Sequence, residues 1–181
     1  MALTKLNARS ASALDATILT GNLPAINGSA LTNLSAGKVL QVLNKTDGTY
    51  QSTSSSTFAD TPLVQAITPA STSNKVLIMI EVKSVKTGGN TGFKLRLSRG
   101  ASGATVLQQF QAIGGATQES TRNNIGSSSF FYLDSPSTAS EVSYVVSYAN
   151  YSDGTGQARL NNTSPDTSSM VVMEISAWLF I

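Results

Sequence analysis

Lys75-Val-Leu-Ile-Met-Ile-Glu-Val-Lys-Ser-Val-Lys86 and, after a glycine-rich turn, Phe93-Lys-Leu-Arg-Leu-Ser-Arg99 decide the fold class. In the first stretch Val76, Ile78, Ile80 and Val82 fall on one face of a strand, and Leu77, Met79, Glu81 and Lys83 on the other. In the second, Phe93, Leu95 and Leu97 alternate with Lys94 and Arg96, the pattern of a strand with one buried face. The turn Thr87-Gly-Gly-Asn-Thr-Gly92 joins them, so the expectation is a hairpin with Glu81 or Lys83 near Lys94 or Arg96.

Working outward, further strands are expected at Lys38–Asn44, Leu63–Thr68, Thr105–Gln111, Ser128–Leu133, Val142–Ala149, Gln157–Asn161 and Ser169–Ile181. Turn signals separate them at Asp47-Gly48, Gly114-Gly115, Asn123-Asn124, Ser135-Pro136 and Asp153-Gly154. The hydroxyl-rich run at 51–57 reads as an exposed loop or edge. Short strands at this spacing, with no long helix, predict an all-β protein: an antiparallel β-sandwich of jelly-roll type. Ser169–Ile181 is apolar on both faces, which requires cover on both. One face suits the core, and a subunit interface including Val172, Trp178 and Phe180 is expected on the other.

Residues 1–36 have a different texture. Their apolar residues are irregularly spaced, and Gly21, Pro24 and Asn27-Gly28 interrupt any regular element. A short helix over 9–19 is the one element the spacing allows. Such a segment offers no core to offset the entropy of ordering it. The expected division is therefore an extended N-terminal arm, 1–36, and a sandwich head, 37–181. Leu14, Leu19, Leu23, Ile26, Leu31 and Leu34 are the expected anchoring and oligomerisation residues of the arm.

Composition narrows the function. Charged residues are 12% of the 181, and the net charge is +2. That is about half the usual charged share and too weak a field to point to nucleic acid. The chain has no Cys and no His, so thiolate nucleophiles, disulfides, Cys-based zinc sites and the commonest general base are excluded. No apolar run approaches a membrane span, and no signal peptide is expected. The glycine-rich turns lack the Lys-Ser/Thr ending of a phosphate loop. Most Asp residues fall in turn positions, so no carboxylate pair is expected to act on glycans. No catalytic residue, cofactor or metal is expected. Lys94, Arg96 and Arg99 read as a solvated basic stripe, with Arg96 as a candidate glycan contact. Tyr148, Asn150 and Tyr151 are further candidates for binding a bacterial surface glycan, set against a structural role for the tyrosines.

Gly21-Asn-Leu-Pro-Ala-Ile-Asn-Gly-Ser-Ala-Leu-Thr-Asn-Leu34 with Gly37-Lys-Val-Leu-Gln-Val42 resembles a connector of bacteriophage tail-fibre and related virion proteins. Ser54-Ser-Ser-Thr-Phe-Ala-Asp60 and Leu63–Ile80 are similar to the same group. The resemblance covers residues 19–80 and implies a homotrimeric virion appendage with a sandwich head like that of tumour necrosis factor or C1q. It implies other virion proteins as partners of residues 1–36, and no catalytic residues. The expected function is a short trimeric tail fibre or adhesin of the virion. The alternative is a capsid decoration or head-fibre protein, and a polysaccharide depolymerase is disfavoured.

Overall fold

A computed structural model describes residues 38–87, 92–100, 104–110, 123–151 and 156–177. The chain divides into two units, Met1–Leu34 and Ser35–Ile181, and every described residue lies in the second. The expected helix at 9–19 and the apolar residues of the arm fall outside the described residues, as do Trp178 and Phe180.

The described chain is all β: β1 (Val39–Asp47), β2 (Gln51–Thr53), β3 (Ala59–Ile67), β4 (Lys75–Thr87), β5 (Phe93–Arg99), β6 (Thr105–Phe110), β7 (Asn123–Asp134), β8 (Val142–Asn150), β9 (Gln157–Leu160) and β10 (Ser168–Ile175). The hydroxyl-rich run contributes the three-residue β2 at a sheet edge. One sheet follows the order β1-β10-β4-β9-β2, with β7 also paired to β4, and the other is β3-β8-β5-β6. All pairings are antiparallel.

The six strands of the first sheet fill four lanes. Residues 84–86 pair with both β7 and β9, so these two lie on opposite edges of β4. Residues 76–81 pair with both β7 and β10, which puts β10 on the same edge as β9. β9 and β10 are therefore one line of chain interrupted by the loop at 161–167. β1 and β2 follow that line, broken at 48–50. Counted in chain order as eight lanes, the sheets read 1-8-3-6 and 2-7-4-5, the double Greek key of a jelly roll.

This arrangement corrects the expected β4–β5 hairpin. Both hydrogen-bonding edges of β4 are occupied, by β7 on one side and by β9 and β10 on the other. The chain crosses to the second sheet, where β5 pairs with β6 and β8. Glu81 and Lys83 pair with each other rather than with Lys94 or Arg96.

The alternating faces meet in the core. Val76, Ile78, Ile80, Val82, Met170 and Val172 of the first sheet pack with Phe93, Leu95, Leu97, Tyr144, Val146 and Tyr148 of the second. Each fully buried large apolar side chain contributes roughly 1.5–3 kcal/mol.

Asn161 fixes the break shared by the β1/β2 lane and the β9/β10 lane beside it. It sits at φ 48°, a left-handed conformation that Asn tolerates better than most residues. Its Nδ2 donates to the Asp47 carbonyl (3.0 Å) and the Thr49 carbonyl (3.1 Å), while its Oδ1 accepts from Ser168 Oγ (2.8 Å).

Candidate assembly surface

Strand registers determine which side chains share the outer face of the first sheet. Val42, Met173, Leu77 and Leu133 form one row across β1, β10, β4 and β7. Asn44, Val171, Met79 and Phe131 form the next, and Val39 and Ile175 stand beside Lys75 at one end. Phe131 is 74% exposed, Leu133 and Val42 are each 54% exposed, and Met79 is 37% exposed. A monomer rarely leaves so contiguous an apolar patch in water unless it binds something.

The patch has a polar border. Beyond Phe131 the next row is Thr46, Ser169, Glu81 and Ser129, followed by Lys83 and Ser127. The Lys83 ammonium is paired with Glu81 and also donates to Ser127 Oγ (2.7 Å). Hydrogen bonding from Lys83 first, then from Ser127, holds the Glu81 carboxyl below its ordinary pKa. At the other end Lys75 Nζ donates to Ser135 Oγ (2.6 Å). A cleft of about 730 Å³ runs along the face, lined by Met79, Glu81, Ser129, Phe131, Ser169 and Val171 and, at the β6–β7 edge, by Phe110 and Phe130. The rings of Phe110 and Phe130 pack at 4.7 Å between centroids.

Several residues singled out in the sequence have other duties. Val172 is fully buried in the core of its own chain, so the side of β10 open to a neighbour carries Val171 and Met173 instead. The alternation was read correctly, but the residue belongs to the inward set. Tyr148 is also a core residue, with its ring against Phe93 at 6.1 Å. Burial first, and Tyr50 second, push its phenol pKa up. Asn150 is fully buried, its Nδ2 donating to the Ser54 carbonyl (3.4 Å) and the Gly156 carbonyl (3.3 Å). Neither is placed to touch a glycan. Tyr151 is exposed, at 45%.

The basic stripe is engaged within the chain. The Arg96 guanidinium lies 4.5 Å from the Phe58 ring centroid, and Lys94 Nζ donates to the Ser56 carbonyl (2.9 Å). Arg99 instead turns to Asp134 (3.0 Å). Among the described residues no group of three or more acidic side chains is disposed to hold a metal, and no helix is long and apolar enough to cross a membrane.

Glu174 is fully buried and held by three donors. Its Oε1 accepts from Asn74 Nδ2 (2.6 Å) and the Ala70 amide (2.7 Å), and its Oε2 from Gln41 Nε2 (2.6 Å). Burial pulls its pKa upward most strongly of any single cause, and these three bonds together outweigh it, leaving the carboxyl below its ordinary value. The carboxylate ties the 68–74 crossover to β1 and β10 and faces no cleft suited to a substrate.

The exposed face was missed because its largest member belongs to Phe130-Phe131-Tyr132-Leu133, a run apolar at every position. Such a run carries no signal for which side is covered. The cross-strand register supplies that signal.

No protein-family model and no curated protein sequence matches this chain. Among solved structures, the chain is similar to a mutant VP2 protein of infectious bursal disease virus in derived T=1 particles, with 13% identity and a TM-score of 0.37. The match covers 84% of this chain and 40% of that one.

Proposed function

We propose that this chain is a structural subunit of a bacteriophage virion: a short homotrimeric tail fibre or adhesin, attached through residues 1–36 and presenting its jelly-roll head to the host surface. The observation that carries the reading is the apolar outer face of the β1–β10–β4–β7 lanes, which this reading takes as an assembly surface. The resemblance of residues 19–80 to virion connectors supplies the setting. In this reading the head acts by binding: Asp134 and Glu174 are committed to internal hydrogen bonds, and Glu81, which lines the cleft, is paired with Lys83.

Electron microscopy of virions labelled with an antibody against the head tests this reading. Label on the tail or baseplate supports the fibre. Label at icosahedral positions replaces it with capsid decoration, and unlabelled virions remove both.

A further inference from the structure

We infer that the outer face of the β1–β10–β4–β7 lanes is the surface through which copies of this chain pack against one another. The inference deepens the proposed function by naming the occupant of its assembly surface.

Three observations favour a second copy. The first is area. The exposed parts of Val39, Val42, Met79, Phe131 and Leu133, with those of the half-buried Val171 and Met173 beside them, come to roughly 500 Å² per chain, at about 150–200 Å² for a large apolar residue fully exposed. Three such faces converging on one axis bury about 1,500 Å² in all, above the roughly 1,000 Å² that a specific association needs.

The second is charge. Glu81 and Lys83 neutralise each other, and Lys75 is tied to Ser135. Lys75 keeps its charge but stands at one end of the face, so the apolar centre offers little field to attract an acidic protein or an anionic glycan, and little to repel its own copy.

The third is layout. An apolar centre edged by Thr46, Ser127, Ser129 and Ser169 has the core-and-rim composition of a protein interface. A sugar site would need polar groups among the aromatic ones, and here they lie at the margins, with Asn44 on the β1 edge and Lys75 at the far end.

The test uses the full-length chain. Phe131→Glu and Met79→Glu each set an unpaired carboxylate at the centre of the face. Each should weaken self-association by at least about 100-fold while leaving the far-UV circular dichroism spectrum unchanged and the melt cooperative. Val64→Glu, an equally exposed position on β3 in the other sheet, should leave association unchanged. Because the chain has no Cys, Leu133→Cys places one thiol on the face. A maleimide should label it slowly in the assembled protein and rapidly once Phe131→Glu is added.

Assembly that survives both face variants, rapid labelling of Leu133→Cys within the assembly, or an unmodified protein that stays a single chain would each overturn the inference. Failure of the proposed function looks different: copies would pack through this face in solution, yet virions would carry no label.

Discussion

Tyr144 donates its phenolic hydrogen to Asp134 Oδ2 over 2.8 Å, and the two residues belong to opposite sheets. Arg99 of β5 donates to the same oxygen at 3.0 Å, and the Ser135 amide donates to the other at 2.8 Å. A nearly buried carboxylate thus joins β5 and β8 to the end of β7. Burial, and then the hydrogen bond to Asp134, raise the Tyr144 pKa far above the usual phenol range, so the donor stays protonated.

Removing that hydroxyl by Tyr144→Phe leaves Asp134 with two donors and should cost about 1–2 kcal/mol. Asp134→Ala should cost more, about 2–4 kcal/mol, since Tyr144 and Arg99 both lose their acceptor. Urea denaturation of the two variants checks the order. Equal losses would show that the Tyr144 bond accounts for all that Asp134 contributes.

Acid should loosen the β1–β10 edge through Glu174. Its pKa is lowered on folding from an ordinary value of 4.5, so the folded state favours the carboxylate. The stability this adds is complete above that value and is lost as pH falls through the lower folded pKa. Glu81 shifts in the same direction on an exposed site. Thermal midpoints should stay level through neutral pH and fall below about pH 4.5. Glu174→Gln should flatten part of that fall and cost about 1–3 kcal/mol at pH 7, because its amide nitrogen would face donors.

The inward faces of β4 and β5 were legible because strict alternation ties each side chain to one side of a strand. Val76, Ile78, Ile80 and Val82 are buried as the period of two requires. Pairing was less legible. A glycine-rich turn between adjacent strands signals a hairpin, yet the edges of β4 are filled by strands distant in sequence, and only three-dimensional closure assigns them. The candidate site suffered similarly at β8, where Tyr144 through Asn150 are all buried. A strand covered on both faces has no polar alternation to reveal that Tyr148 and Asn150 are structural.

Asn161 should be intolerant of change out of proportion to its size. Asn161→Ala loses the bonds to the Asp47 and Thr49 carbonyls and to Ser168, and it also forces Ala into a left-handed conformation. A loss of about 2–4 kcal/mol is expected by chemical denaturation. Asn161→Gly relieves the backbone term alone and should be milder, by about 1 kcal/mol. Should Gly prove as damaging as Ala, the side-chain bonds account for the whole effect.

Deleting residues 1–36 should leave the head folded, because β1 begins at Val39 and the described core draws on residues from Leu43 onward. Circular dichroism should retain the β signal and a cooperative melt. In the proposed function the same deletion abolishes incorporation into virions, scored by immunoblot of purified particles. Incorporation of the truncated chain at the unmodified level would remove the anchoring role from the arm.

Sedimentation equilibrium of the unmodified full-length chain over a range of concentrations tests the central claim most directly. An apolar face ending in Phe131 and Leu133 should be covered by copies of the chain, and the proposed fibre is homotrimeric, so the predicted result is the mass of three chains, retained on dilution to low micromolar concentration. The mass of one chain throughout that range would contradict the account.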